Sequence, residues 1–377
     1  MSTENHERRF AGFRLRLARS FKDLTQAELG KRASVTPQYI GHLENGHKQP
    51  ASILVDALAD ILGFDEPFFY GGQLEEFRDE ECHFRRRTTT PVTVRTRVLA
   101  HGSLFGSLVA YLDDNVSMPP EKLSLGSLQS PEDIERAAER CRMAWGLGRD
   151  LPIKNLTRAV ENAGVVVTRF EAASLKIDAF SRAGKRSVVV LNAEKDSHTR
   201  SRFDLAHECG HLVGHGGITT GDPDTEKQAN RFAGALLLPR SGFVRDFPRS
   251  RTVDWAALFA LKLRWGASVS GIVKRAYELR LIPATTYQAA FKHLAYRGWI
   301  KREPEELAPE TPELVPLCLQ EIERAQGLSP MAVAARLGWR VDNFRLVAGV
   351  PISEPDPPIE PTGKIISLAQ ERSKRSA

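Results

Sequence analysis

The segment RFDLAHECGHLVGH, residues 202–215, constrains the fold more than any other part of the chain. His207 and His211 are four residues apart, so on an α-helix their side chains lie on one face and can share a metal ion. Glu208 lies beside them, where it can accept a proton from a metal-bound water. The segment therefore predicts a helix that carries a metal site, and Gly214 predicts where that helix ends.

A second segment, DTEKQANRFAGALLLP at 224–239, predicts another amphipathic helix. A catalytic zinc ion needs a third protein ligand and one open position, and Glu226 can supply that ligand in a His-His-Glu site. Asp222 or Asp224 can instead cap this helix. Asn230, one turn after Glu226, can hydrogen-bond a ligand imidazole and decide which ring nitrogen carries the proton. Because neutral imidazole suits zinc, Zn²⁺ is the expected cofactor.

Two residues of the first segment leave alternatives open. His215 continues the four-residue spacing, but the glycines around it predict that the helix ends there. It is therefore a candidate metal ligand, a helix-end residue or a substrate-pocket residue. Cys209 stands at a variable position of the motif and is interpreted as a small core residue rather than a redox switch.

The N-terminal part predicts short amphipathic helices joined by a tight turn. Thr25 and Glu28 have the spacing of a capping box. Thr36 can cap the next helix, with Pro37 at the first helical position, which proline tolerates. Two short helices connected in this way are typical of a helix-turn-helix, whose second helix enters the major groove of DNA.

The segment LTQAELGKRASVTPQYIGHLENG resembles the phage-repressor (XRE) helix-turn-helix family, and the resemblance extends over 10–66. It implies DNA binding, with Gln26 near the DNA backbone. Pro37 stands where such repressors often have a polar side chain, which removes one base contact. A helix-turn-helix used only for protein docking is the alternative. The residues that the resemblance places in the groove are Thr36, Gln38, Tyr39 and His42.

The central part, about 150–300, resembles the ImmA/IrrE metallopeptidase family through SVVVLN, RFDLAHECGHLVGH and TEKQANRFAGALLLP. Gln228 stands where members of that family often have a second glutamate, which leaves Glu226 as the available carboxylate. Residues 185–192 predict a strand, and metalloproteases commonly use an edge strand to hold an extended peptide. The resemblance implies zinc ligation by His207, His211 and Glu226, and the general base Glu208.

The expected fold class is multidomain and mainly α with a small β-sheet: an all-α helix-turn-helix head, an α+β zincin-like metallopeptidase core and a helical C-terminal unit. A chain of 377 residues is long enough for two to three domains. Proline, glycine and acidic stretches predict the boundaries. The expected units are the head at 10–66, a connector at 67–130, the peptidase domain at 131–302, the C-terminal unit at 314–350 and a flexible tail at 351–377.

Charge and cysteine content narrow the class of protein further. The net charge is +6, and residues 6–50 carry nine lysines and arginines against four acids, whereas residues 51–81 carry one arginine against nine acids. This distribution favours nucleic acid as a partner of the basic head. The four cysteines form no CxxC pair, and no apolar stretch or signal segment is visible. We expect a cytoplasmic protein that does not bind a membrane. A homodimer is compatible with the sequence.

Two functions fit these sequence features. The first is a DNA-associated zinc endopeptidase that cleaves a transcriptional repressor or another DNA-binding regulator in a stress or mobile-element response. The second is an XRE-type regulator, toxin–antitoxin or phage-related, whose peptidase domain serves sensing or protein contacts. The water-activating Glu208 favours the first, because a fold kept only for contacts does not need it. The candidates for stabilising the oxyanion are His198, Tyr277, Arg200 and Arg202.

Overall fold

The computed structural model describes residues 9–72, 74–78, 83–86, 92–123, 125–170, 177–193, 197–216, 222–250 and 252–349, so the predicted tail at 351–377 lies outside the described residues. The predicted fold class is confirmed: this part of the chain is mainly helical and has one small β-sheet. The N-terminal helices are α1 (Gly12–Phe21), α2 (Gln26–Arg32), α3 (Pro37–Glu44) and α4 (Ser52–Leu62), followed by a short 3-10 helix (Glu66–Tyr70).

The middle of the chain alternates strands and helices. Strand β1 (His83–Arg86) and the long helix α5 (Val92–Asn115) come first, then α6 (Pro131–Ala144) and α7 (Leu156–Asn162). The remaining strands are β2 (Val166–Phe170), β3 (Ile177–Arg182) and β4 (Val188–Asn192). The helices that follow are α8 (His198–Gly214), α9 (Pro223–Leu237), α10 (Arg240–Asp246), α11 (Trp255–Trp265), α12 (Val269–Glu278), α13 (Ala284–Tyr296), α14 (Leu314–Gln326), α15 (Pro330–Arg336) and α16 (Val341–Ala348).

The two caps predicted in the head are present. The Thr25 hydroxyl accepts the backbone N–H of Glu28, and the Glu28 carboxylate accepts the backbone N–H of Thr25 at 2.7 Å, which completes the capping box of α2. Thr36 caps α3 by accepting the N–H of Tyr39 at 3.2 Å, with Pro37 at the first helical position. These local bonds set where both short helices begin.

The sheet has the strand order β1-β3-β4-β2. Strand β3 pairs antiparallel with β1 and with β4, and β4 pairs parallel with β2. Strand β4 is therefore central, and every residue in it is buried. The interpretation of residues 185–192 as an edge strand is wrong. Consecutive apolar residues point to both faces of the strand, so both faces are buried, as is typical of a central strand. The edge beside β3 is occupied by β1, which comes from the connector.

The sheet separates two hydrophobic cores. The side chains of Val167, Val189 and Leu191 pack against α8 and its neighbours. The alternate residues, such as Val166 and Val190, face a second core that contains α5, the head and the C-terminal helices. Because successive residues in a strand point to opposite faces, one short strand contributes to both cores.

The C-terminal helices belong to the same core as the head. The side-chain amide of the buried Asn343 in α16 donates to the carbonyl oxygens of Leu62 (2.9 Å) and Gly63 (2.6 Å) at the end of α4. Phe64 and Trp339 form an isolated β-bridge beside this contact. The head and the segment 314–349 are thus packed together, although 247 residues separate them in the sequence.

The acidic segment between α13 and α14 lies against the central domain. The ammonium of Lys262, 2% exposed, is 3.2 Å from a Glu303 carboxylate oxygen and 2.9 Å from one of Glu306. Arg202, equally buried, pairs with Glu310. A buried charge requires a partner, so these pairs hold the segment in one position.

Among the described residues, no single helix is both long and apolar enough to cross a membrane. The consecutive helices α11 and α12 reach the necessary length and composition only as a pair, and their axes differ by 98°.

Candidate metal centre and DNA-binding surface

Helix α8 carries the central motif through the interior of the protein. His207 and Glu208 are fully buried and His211 is 1% exposed. Gly210 lies against α9, where an added Cβ would be 3.1 Å from the Cα of Ala229. The missing side chain therefore allows the two helices to approach closely, which brings the acidic start of α9 towards the histidines.

Three side chains that the sequence analysis assigned as metal ligands are brought together by this packing. The Nε2 atoms of His207 and His211 are 3.0 Å apart. The carboxylate of Glu226 is 3.4 Å from the first and 3.2 Å from the second. Ligand atoms around a tetrahedral zinc ion are about 3.3 Å from one another, given bonds of about 2.0 Å. The donor set and its spacing therefore fit a metal ion of that geometry.

The protonation states at this group suit a metal. Burial lowers the pKa of His211 to about 4, so its imidazole is neutral at physiological pH. Burial alone would raise the pKa of Glu226, but hydrogen bonds and charge interactions with His207 and His211 lower it well below its usual range. Neutral imidazole and ionised carboxylate are the forms that bind metal ions.

Glu208 has a partner that the sequence analysis did not find. Its Oε2 atom accepts a hydrogen bond of 2.6 Å from the hydroxyl of Ser181, and both residues are fully buried. Ser181 lies in β3, one residue before the end of that strand. Nothing in the local sequence around Ser181 indicates this contact, because it depends on how β3 packs against α8.

His215 lies behind His211 rather than beside the ligand atoms. The Nδ1 atoms of these two histidines are 2.9 Å apart, and the Nε2 atom of His215 is 2.9 Å from the side-chain oxygen of Gln228. Asn230, the residue expected to bond a ligand imidazole, lines a small cavity with Phe203. The position expected for it is taken by His215 and Gln228, and its own role stays a prediction.

The other residues singled out around the motif have partners elsewhere. Cys209 is fully buried, and burial raises the pKa of its thiol well above the usual value, as is typical of a core cysteine. The oxyanion candidates are each held outside the group: His198 contacts the carbonyl of Ala308 (2.9 Å), Tyr277 stacks on Tyr287 (4.6 Å), Arg200 donates to the carbonyl of Ile300 (2.7 Å) and Arg202 pairs with Glu310.

Helix α3 presents most of the predicted groove-facing residues at the surface. Gln38 is exposed, and Thr36 is exposed while its hydroxyl caps the helix. Tyr39 is half-buried, with the ammonium of Lys48 5.3 Å from its ring centre. His42 is half-buried in the same helix. The DNA contacts of these residues stay predictions.

Gln26 is held between helices of the head. Its side-chain amide donates to the carboxylate of Glu44 at 2.7 Å. The same buried carboxylate accepts two bonds from the guanidinium of Arg19, at 2.5 and 3.0 Å. This three-residue network joins α1, α2 and α3, and the sequence analysis did not find Glu44 or Arg19 as parts of it. The contact of Gln26 with the DNA backbone stays a prediction.

Comparison with known families agrees with the geometry. Residues 160–277 match the model of the IrrE N-terminal-like domain, a peptidase M78 model, and residues 11–67 match the model of a helix-turn-helix domain. The first range contains β2 to β4 and the candidate metal centre, and the second contains the head. No curated protein matches the chain. Both resemblances seen in the sequence are thus confirmed: one part of the chain matches a helix-turn-helix domain and another matches an IrrE N-terminal-like domain.

Proposed function

We propose that this protein is a DNA-associated, zinc-dependent endopeptidase that cleaves a protein partner. The observation that carries the proposal is the convergence of His207, His211 and Glu226, with the buried Glu208 next to His207 in α8. The head supplies the association with DNA. A transcriptional repressor or another DNA-binding regulator is the proposed substrate, in a stress or mobile-element response, because a head that binds DNA brings the peptidase to such proteins.

The chemistry follows from the residues of this chain. Zn²⁺, when bound to the His-His-Glu group, supplies Lewis-acid polarisation of a carbonyl and a lowered pKa for water. Glu208 accepts the proton of the attacking water and delivers it to the leaving amine. The hydroxyl of Ser181, 2.6 Å from Glu208, orients the carboxylate for that transfer.

The proposed peptidase is latent in this conformation. An extended substrate would pair with the edge of β3 that lies beside Glu208, but β1 occupies this edge, with His83 opposite Ser181. The segment that precedes β1 contacts Arg182 of β3. Glu75 pairs with Arg182, and the guanidinium of Arg182 lies 4.4 Å from the centre of the Phe77 ring. Substrate binding then requires that β1 leaves the sheet.

The position of β1 and the burial of Glu208 also support one alternative function. A DNA-binding regulator whose peptidase-like domain serves as a sensor would also keep β1 in place and Glu208 buried. The two functions differ in one respect: only the peptidase needs the carboxylate of Glu208.

Cleavage with and without β1 in place tests the proposal. The purified full chain would be incubated with Zn²⁺ and cell extract, with and without DNA, and new protein N-termini would be identified by mass spectrometry. The variants are Glu208→Gln, Phe84→Pro, which removes a backbone donor from β1, and Glu132→Gln as the matched control with an exposed carboxylate.

The proposal expects cleavage that Glu208→Gln abolishes and Glu132→Gln retains, with faster cleavage by Phe84→Pro. Absence of Glu208-dependent cleavage from the wild type and from Phe84→Pro, with and without DNA, would overturn it in favour of the regulator.

A further inference from the structure

We propose that His215 and Gln228 act as positioning residues that favour the tautomer of His211 in which its Nε2 atom has a lone pair for the metal. The inference rests on the proposed metal centre and adds two residues to it. Neither residue is a ligand in this arrangement.

The geometry is a chain of three side chains behind the centre. The Nε2 atom of His211 faces His207 and Glu226, at 3.0 and 3.2 Å. Its other ring nitrogen, Nδ1, is 2.9 Å from Nδ1 of His215. The Nε2 atom of His215 is in turn 2.9 Å from the side-chain oxygen of Gln228 in α9. Both nitrogens of His215 are thus engaged away from the carboxylate of Glu226.

The positions of the protons follow from the acceptor at the end of this chain. In this orientation of the Gln228 amide, its oxygen faces His215 and accepts, so Nε2 of His215 carries the proton and donates it. A neutral imidazole has one N–H, so Nδ1 of His215 is an acceptor. Nδ1 of His211 must then donate, which leaves Nε2 of His211 with a lone pair directed at the metal position.

The reverse arrangement would disable the centre. If position 228 presented a donor to His215, both hydrogen bonds would run in the opposite direction, and Nε2 of His211 would carry a proton instead of a lone pair. His211 and His215 are each 1% exposed, so water has little access to replace either bond. Partners of this kind behind a ligand imidazole typically change metal affinity 10–100-fold when they are removed.

Zn²⁺ affinity, measured by competition with a chromophoric chelator, tests the role of the chain. Gln228→Met has similar length but no acceptor oxygen, and His215→Phe keeps an aromatic ring without nitrogens; both should bind Zn²⁺ about 10–100-fold more weakly. Gln228→Glu retains an acceptor and should bind at least as tightly as the wild type. Lys227→Met, on the exposed side of the same helix, is the control and should bind normally.

A spectroscopic measurement separates this role from a merely structural one. In the metal-free protein labelled with ¹⁵N-histidine, the carboxylate of Glu226 favours a proton on Nε2 of His211, whereas the chain behind the ring favours one on Nδ1. The wild type should therefore show a larger share of the Nδ1–H tautomer of His211 than Gln228→Met. Thermal denaturation of His215→Phe shows whether that variant is folded, and Gln228→Met keeps the test valid where it is not.

The outcomes distinguish this inference from the proposed function. Normal Zn²⁺ affinity and an unchanged His211 tautomer in Gln228→Met would overturn the inference and leave the metal centre intact. A wild-type protein that does not bind Zn²⁺ would overturn the proposed function instead, while the tautomer in the metal-free protein would still decide the role of Gln228.

Discussion

The hydroxyl of Ser181 donates to the carboxylate of Glu208 over 2.6 Å, and neither residue is exposed to solvent. This bond joins the strand at which a substrate would pair to the helix that carries the candidate ligands. Its removal should therefore change the orientation of the proposed general base without changing the metal ligands.

Ser181→Ala should lower the rate of Glu208-dependent cleavage by roughly 10- to 100-fold, because a hydrogen bond to a charged group contributes about 1.5–3 kcal/mol. Zn²⁺ affinity should not change. The control is Ser187→Ala, which removes another buried serine hydroxyl that donates to a carboxylate, that of Glu121, away from the centre. An equal loss of cleavage in both variants would show that Ser181 acts only through stability.

Stability should depend on pH through His101. Burial lowers the pKa of this histidine to about 4 from its ordinary 6.5, and its ring packs 4.2 Å from that of Phe170. Between these values the unfolded chain binds a proton and the folded chain does not, so the contribution of His101 to the free energy of unfolding is complete above pH 6.5 and is lost as the pH falls towards 4. The loss is at most roughly 3 kcal/mol.

The measurement is denaturation at several pH values within that window for the wild type, His101→Phe and the exposed control His47→Phe. Since burial also lowers the pKa of His211 and His215, only the difference between variants isolates His101. His101→Phe should show a flatter decline of stability than the other two proteins. Identical slopes in all three would contradict the assignment.

The bond between Asn343 and the end of α4 should stabilise the packing of the head against the C-terminal helices. Asn343→Leu leaves the carbonyls of Leu62 and Gly63 without this donor, so the free energy of unfolding should fall by about 1–3 kcal/mol. Zn²⁺ affinity should be unchanged, because the candidate centre lies in the other core. Asn115→Leu loses a bond to the carbonyl of Tyr111 and a long bond of 3.4 Å from Gln326 at the exposed surface, and it should cost less.

The exposed Gln38 should contribute to sequence recognition if α3 enters the major groove of DNA. After selection of a preferred duplex from random sequences, Gln38→Ala should weaken binding to it by about 1–3 kcal/mol and leave binding to unrelated DNA unchanged. Fluorescence anisotropy at fixed salt concentration measures both. Equal weakening on both duplexes would place Gln38 on the DNA backbone instead.

Much of the local structure could be predicted because it depends on neighbours in the sequence. Each of these features belongs to one helix and does not depend on how that helix packs: the caps at Thr25 and Thr36, and the four-residue spacing of His207 and His211. The proximity of Glu226 to those histidines could also be predicted, because the family resemblance implies that the two helices lie side by side. The periodicity of the sequence alone does not show how two helices pack.

The tertiary structure alone decided the contacts between distant segments. Three contacts form only when strands and helices that are far apart in the chain pack together. They are the hydrogen bond between Glu208 and Ser181, the one between His215 and Gln228, and the pairing of β3 with β1. The sequence by itself determined which residues carry chemistry and which helices present them. It did not determine their partners. A contact across the sheet or between helices leaves no periodic pattern in the sequence, because it depends on how the two cores pack against the faces of one sheet.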